Sequence, residues 1–505
     1  MLIDGNDLEA DSRLVADLCI VGAGAAGLTL AQAFDGAPCS VLLLESGGFQ
    51  ADAQIQGLAD GTSEAPYPFL ESRARRFGGT TTRWSGACIP LDAGDFEPRD
   101  WLPHSGWPFN RQALAPYYRQ AHAIFGLPET VPPLAASPFG QTPLAAMPVG
   151  YSQPLDLGKK YRRQIVRSHN VTLVTHATVV ELVAGEDQRV EQLRLSRGIT
   201  VVAKTIVLAA GGIENARLLL ASNRRFPKGL GNGRDLVGRF FMEHYYKTVG
   251  VLPLGPHRPQ VLPFTNFSPL GQTQGLGTFG LNDAVRQRHR LLNMHLRCYR
   301  YSPLEDRPAV IAAKQLAGSE HRGETLRQLL QTDWPVLPRY VGWHLWNKLQ
   351  RSAPFTQVRL QAWLEQEPEP HNRITLSSQR DALGQPLAHL SLRFSDRMAE
   401  SLEQSLKHVD LALQSHGFGP LEYAPERLAH LTPYDKMGLH HMGATRMHVS
   451  PRQGVVDANC RVHDLANLYI AGSSVFPTGG AANPTLTIVA LALRLAEHLR
   501  QQVPA

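Results

Sequence analysis

Six residues near the N-terminus, Gly22-Ala23-Gly24-Ala25-Ala26-Gly27, constrain the fold more than any other part of this 505-residue chain. A glycine triplet with this spacing recurs by chance, so its flanks decide what it means. Here the apolar run Asp17-Leu18-Cys19-Ile20-Val21 precedes it, a helical stretch Ala25–Phe34 follows, and a second apolar run Val41-Leu42-Leu43-Leu44 ends at Glu45-Ser46. Strand, glycine turn, helix and strand in that order predict a βαβ unit that binds a dinucleotide. Gly22 permits the tight turn, Gly24 lets the backbone approach a pyrophosphate, and Gly27 allows the helix to pack closely on the strand. The amides of Ala25 and Ala26 open the helix, where the dipole favours an anion. Glu45, with Ser46 beside it, is placed to accept hydrogen bonds from a ribose diol.

Three further segments choose between nicotinamide and flavin. Phe77–Gly86 is a second cluster of glycine and hydroxyl residues, with Gly78, Gly79, Thr80, Thr81 and Trp84 expected against the cofactor. Ala209-Ala210-Gly211-Gly212 and Ala471-Gly472-Ser473-Ser474 each end an apolar run, where a backbone turn touches the nucleotide; Val179, on a strand read over Val171–Val183, joins the same wall. A nicotinamide enzyme needs none of these, whereas a buried isoalloxazine does, so FAD is the expected cofactor.

The expected class is α/β (α+β overall), with a Rossmann-like FAD-binding domain assembled from discontinuous segments and an antiparallel-sheet substrate domain. The cofactor pieces lie at the start, middle and end of the chain. They assign 1–95, 161–225 and 431–505 to the FAD domain, and 96–160 and 226–430 to the substrate domain. Within the latter, Arg373–Ser377 and His389–Phe394 read as antiparallel strands joined by a turn at Asp381–Gly384, and Met398–His416 as an amphipathic helix stopped by Gly417. No internal repeat is present.

Composition narrows the function classes. A formal charge of +6 is small for this length and no basic run is long, which argues against a nucleic-acid surface. Five scattered cysteines, Cys19, Cys39, Cys88, Cys298 and Cys460, form no CxxC pair; they suit neither a disulfide framework nor a zinc site, and no metal is expected. The first residues lack the pattern of a secretion signal, and the apolar segment near Thr485–Leu499 is too short to span a bilayer. A cytoplasmic protein without a transmembrane segment is the expectation.

The C-terminal motifs extend the reading. His440-His441-Met442-Gly443-Ala444-Thr445-Arg446-Met447, then Ala471–Pro477, then Gly480-Ala481-Ala482-Asn483-Pro484-Thr485-Leu486-Thr487 follow the glycine motifs in an order that resembles the glucose–methanol–choline oxidoreductases. Pyranose oxidase and the FAD-dependent sugar and polyol dehydrogenases are the nearest in motif. The resemblance implies hydride transfer from a carbon-bound hydroxyl to flavin N5, with His440 as base and Asn483 stabilising the alkoxide. An imidazole is suited to take the hydroxyl proton near neutrality, and an amide hydrogen-bonds the same oxygen without competing for that proton. If residues 440 and 441 are extended, their side chains take opposite faces and only one reaches the flavin; His441 is the alternative to His440. Asn483 has a second reading as the cap of the closing helix, with Pro484 in its first turn and Thr485 next to it.

In pyranose oxidases the flavin is tethered to a histidine just before the tryptophan of the early glycine cluster. This chain has Arg83 there, so the resemblance implies noncovalent FAD. Arg83 is left between a cofactor phosphate, an acid and a structural role. The aromatic stretch 334–346 is read as packed core or an oligomer face rather than a substrate shelf, the carboxylates of Glu365 to Glu369 as a solvated turn, and Cys88 as an inert thiol. The substrate expected is a small alcohol or sugar, with oxygen or another electron acceptor, in a homo-oligomer or beside a redox partner subunit. The competing readings are a flavoenzyme acting on a specialised biosynthetic substrate, the flavoprotein subunit of a respiratory complex, and a retired FAD-binding scaffold.

Overall fold

The register of four parallel strands brings the cofactor motifs together. In the computed structural model, which describes residues 1–129, 143–153, 156–270, 272–318, 331–349, 355–424, 426, 428, 431 and 437–502, strand Arg13–Val21 is central to an eight-stranded sheet. Val21 lies level with Leu44 of strand Val41–Leu44 on one side and with Leu208 of Thr200–Leu208 on the other; Leu208 in turn pairs with Ile470 of Leu468–Ile470. All four strands are parallel, so their C-terminal ends share one edge. The loops that leave that edge are Gly22–Gly24, Glu45–Ser46, Ala209–Gly212 and Ala471–Ser473. Clustering loops at the carboxyl ends of a parallel sheet creates the crevice in which α/β folds bind ligands. Within the expected domain blocks, residues 130–142, 154–155, 271, 319–330, 350–354, 425, 427, 429–430, 432–436 and 503–505 lie outside the described residues.

Val171–Thr175 and Leu2–Asp4 extend this sheet on one side, and the antiparallel pair Val190–Leu195 and Val179–Ala184 on the other. The single strand expected over Val171–Val183 is therefore two, broken where His176 turns at a φ of 50°. Helix Ala25–Ala33 packs against closing helix Thr485–Arg500, whose Leu486, Val489, Ala490 and Leu499 are buried. Gly27 permits this layer: a Cβ there would overlap the Gly22 carbonyl oxygen.

The second sheet is antiparallel, ordered Tyr245–Pro253, Gln357–Leu364, Met294–Tyr301, Thr273–Leu281, Leu144–Tyr151 and Ala87–Cys88. One face packs Leu296, Leu360 and Leu364 against Met398, Leu402, Leu406 and Val409 of helix Asp396–Ser415. The other face turns toward the cofactor sheet.

The division between the two cores departs from the expected boundaries in three places. Ala87–Cys88 already belongs to the second sheet, because it pairs with Leu144–Tyr151. Helix Ala115–Ile124 packs on the closing helix, its Tyr118 hydroxyl 2.9 Å from that of Thr487. Hairpin Arg373–Arg380 and Pro386–Ser391 joins Gly61–Ser63 in a small third sheet, and its Ile374, Ala388 and Leu390 lie in the cofactor-side core. Long-range pairing, invisible to local pattern, decides all three.

Two further readings are corrected. Glu365 is fully buried and paired with Arg99, not solvated. Helix Leu337–Leu349 leaves Val341, Leu345 and Trp346 about half exposed, as Trp334 is before it, which removes the packed-core alternative for this stretch and leaves that of an oligomer face. All five cysteines are free and buried, and burial pushes the Cys88 thiol up. No helix among the described residues is long and apolar enough to cross a membrane.

Overfilling the Gly22–Gly27 contact must separate helix from strand. Gly27→Ala is expected to cost about 1–3 kcal/mol of stability, read as a lower midpoint in chemical denaturation. An unchanged midpoint would contradict the close approach.

Candidate active site

Each motif loop contributes to one elongated cavity of about 440 Å³ between the sheets, within the range of ordinary ligand pockets. Its walls include Gly22, Gly24, Ala25, Ala26, Glu45, Ser46, Gly79, Thr80, Thr81, Trp84, Val179, Ala210, Gly211, Gly472 and Ser473, and at one end His440, Asn483, Pro484 and Thr485. Of the residues expected at the cofactor, Gly27 and Gly78 stand behind the wall. Gly27 serves helix packing, and Gly78, at a φ of 97°, donates its amide to the Ala23 carbonyl at 2.9 Å and so ties the second glycine cluster to the first.

The cradle fits FAD. A Cβ on Gly22 would come within 2.6 Å of the Ala209 carbonyl oxygen, whereas one on Gly211 or Gly472 would meet nothing within 4 Å and project into open space. Helix Ala25–Ala33 has no side chain capping its first turn, which leaves its amides for an anion. Glu45 is buried; its two oxygens accept the amides of Ala23 at 2.8 Å and Gly47 at 2.9 Å. Those bonds aim the carboxylate, and each oxygen keeps a lone pair for a ribose hydroxyl. Arg83 is exposed and donates to the Leu70 carbonyl at 3.1 Å, with no carboxylate partner among the described residues.

At the far end His440 and Asn483 meet, the Asn483 amide nitrogen lying 3.2 Å from His440 Nε2. Leu439, at a φ of 56°, turns the backbone just before His440. This left-handed residue, unusual for a branched side chain, sits where the chain must aim one histidine into the cavity. Asn483 does not cap the closing helix: Pro484 is the N-cap, and no side chain bonds there.

Local pattern missed three neighbours. Arg297, buried on strand Met294–Tyr301, donates to Asn483 Oδ1 at 3.3 Å, and its guanidinium lies 4.3 Å from the Trp363 ring centre. Trp363 stacks on Tyr246 and His295 and reaches the cavity beside His440, 5.8 Å between ring centres. His244 Nδ1 lies 2.8 Å from His440 Nδ1. In sequence Met294-His295-Leu296-Arg297-Cys298 alternates like a half-exposed strand, and the polar face would be assigned to water. That face instead meets the cofactor side.

Burial holds the His440 imidazole well below its usual range, and His244, His441, Arg297 and His295 add to the effect. The ring is therefore neutral, the form that accepts a proton. His441 also lines the cavity, on the other side of the backbone; burial, then Arg73, lowers it to about 3. Its Nε2 lies 3.9 Å from Glu243 Oε1, and burial pushes the Glu243 carboxyl up to about 8.

A raised carboxyl pKa stabilises the fold fully below the ordinary carboxylate range and progressively less as pH rises toward about 8, because the unfolded chain ionises first. Glu243→Gln removes that dependence. The thermal midpoint of the variant relative to the native chain is expected to rise between about pH 5 and pH 8; a difference that stays flat or falls would mean that Glu243 is ionised in the fold.

Residues 368–492 match the family model described as GMC oxidoreductase. The chain is 24% identical to the fructose dehydrogenase large subunit of Gluconobacter japonicus, over 97% of this chain and 98% of that one. It is also 24% identical to 6'''-hydroxyparomomycin C oxidase of Streptomyces lividus, with 96% and 92% covered. The likeness to 2-methyl-1,2-propanediol dehydrogenase of Mycolicibacterium austroafricanum is 23%, with 90% and 86% covered. Among solved structures, pyridoxine 4-oxidase from Mesorbium loti superposes with a TM-score of 0.55 at 18% identity, over 96% of this chain and 99% of that one, which shows the fold.

Proposed function

We propose that this chain, whose residues 368–492 match the GMC oxidoreductase family model, oxidises a hydroxyl of a small sugar or polyol to a carbonyl with FAD as cofactor. The observation that carries the reading is His440 beside Asn483 at the end of a glycine-lined cavity, its imidazole held below the usual range by desolvation. FAD, when bound, supplies the acceptor for the hydrogen and electron pair that leave the substrate carbon.

The chain's own residues handle the proton and the charge. His440 Nε2 takes the hydroxyl proton as the C–H bond breaks, and Asn483 donates its amide hydrogen to the same oxygen. Arg297, one bond behind Asn483, adds positive potential where the oxygen becomes negative. Trp363, held between Tyr246 and His295, brings the edge of its ring to the cavity, where it can contact the apolar side of a substrate. The names of the three relatives, which refer to a sugar, an aminoglycoside and a diol, favour a polyhydroxylated substrate.

Arg83 stands where a tethering histidine would be, and it is occupied by the Leu70 carbonyl, which supports noncovalent FAD. A second reading concerns the electron acceptor. One relative is a large subunit, and the exposed Val341, Leu345 and Trp346 offer apolar surface for a partner subunit. Sustained turnover of the isolated chain with oxygen alone would remove the need for one.

Anaerobic titration with sugars, polyols and simple alcohols is expected to bleach the flavin bands between about 350 and 500 nm for one substrate class. Persistence of the bands with every candidate would overturn the sugar or polyol reading. With the identified substrate, His440→Ala is expected to slow bleaching about 10²–10⁴-fold and Asn483→Ala about 10²–10³-fold. Acid precipitation should leave all flavin in the supernatant; flavin retained in the pellet would reveal a covalent bond.

A further inference from the structure

The hydrogen bonds around His440 run in one direction, and both ends of the run fix that direction. At one end Arg297 has only donors, so the Asn483 atom 3.3 Å away must be its carbonyl oxygen. The amide nitrogen of Asn483 then faces His440 Nε2 at 3.2 Å, which must accept. At the other end the Gly480 carbonyl can only accept, so His244 Nε2, 2.7 Å away, carries a proton. A neutral His244 has its lone pair on Nδ1, and this nitrogen faces His440 Nδ1 at 2.8 Å. His440 must therefore be protonated on Nδ1 and bare on Nε2. The two ends give the same answer independently.

We propose that His244 is the positioning residue that holds His440 in the Nδ1-protonated tautomer, so that Nε2, which the Asn483 amide faces here, keeps the lone pair that takes the proton once a substrate hydroxyl enters between them. This rests on the reading of His440 as the base. His244 is suited to it by placement. It is fully buried, on the segment that pairs with residues 437–442: the Gly438 amide donates to the His244 carbonyl at 2.8 Å, and Met242 pairs with Met442. Backbone pairing on both sides of the two rings thus sets their spacing, and the rings meet edge to face at 86°. When Nε2 receives the hydroxyl proton, the cation formed on His440 keeps its Nδ1–H bonded to the bare Nδ1 of His244. Among the described residues no carboxylate bonds the His440 ring. A neutral acceptor orients the base without holding a negative charge beside an oxygen that is itself becoming negative.

Two substitutions and one spectroscopic measurement on the FAD-loaded protein test this. Asn at 244 keeps an oxygen near the place of Nδ1, so His244→Asn should retain the tautomer and slow substrate-driven flavin reduction less than about 10-fold. Leu supplies no acceptor, so His244→Leu should slow reduction about 100-fold, with KM little changed and flavin still bound. Leu as fast as the native residue, or Asn as slow as Leu, would overturn the proposal. The tautomer is also read directly in the unmutated protein by nitrogen-15 NMR of labelled histidine rings, with His440 assigned by the signal lost in His440→Asn. A proton on Nδ1 supports the proposal and a proton on Nε2 overturns it. This readout needs neither a known substrate nor a folded His244→Leu variant, so failure of the sugar or polyol reading would be recognised separately.

Discussion

The contacts of Arg297 with Asn483 and of Trp363 with His440 are where the two halves of this molecule become one site. His440 and Asn483 arrive on the C-terminal segments of the cofactor side, whereas Arg297 and Trp363 arrive on the second sheet, which holds Asn483 through Arg297 and flanks His440 with Trp363. A displacement of either sheet by an ångström would break a bond of this set, and effective positioning of reacting groups is that sensitive. Everything that fixes the two sheets relative to each other therefore bears on the base.

A buried polar network beneath the site supplies that fixation. Glu365 accepts from Arg99 and from the Asn293 amide, and Asn293 donates from its side chain to Asp95 at 2.9 Å. Asp95 lies against Gly480, where any Cβ would overlap its carboxylate. Gly480, in turn, offers the carbonyl that accepts from His244. The glycine at 480, with a φ of 55°, thus admits a carboxylate on one side while its carbonyl serves the histidine pair on the other. Burial and the neighbouring Asp92 and Glu365 charges push the Asp95 carboxyl up, opposed by Arg286 and Arg99. Each cation here has a carboxylate partner, Arg99 with Glu365 and Arg286 with Asp92, whereas at His440 Arg297 makes no ion pair among the described residues. Burial is the main cause that holds the His440 imidazole below its usual range; the Arg297 guanidinium adds to it and attracts negative charge, the condition that proton removal from a hydroxyl requires.

How much of this was legible in the sequence follows from how local each feature is. Gly22, Gly24 and Gly27 announce themselves because a turn, a close approach and a helix contact each demand glycine within one βαβ unit. His440 and Asn483 were found through motif resemblance, and the structure brings their side chains together. His244, Arg297 and Trp363 carried no local signal. Each sits on an antiparallel strand or strand-like segment whose alternation looks half exposed, and only the docking of a second sheet turns that polar face inward. Helix Ala115–Ile124 and hairpin 373–391 were assigned to the other domain for the same reason, since a strand or helix does not record which core it will join.

The polar face of the second sheet also explains why a base can be weak and still useful. His440 is held neutral by burial and by surrounding positive potential, which lowers its proton affinity. The same potential lowers the proton affinity of the substrate oxygen, because an alkoxide beside Asn483 and Arg297 is stabilised by the field that disfavours the imidazolium. What governs transfer is the difference between the two affinities, and a field common to both sites acts on them in the same direction. A buried arginine that would handicap an isolated histidine thus leaves the pair matched, while the fixed tautomer ensures that the proton has one place to go.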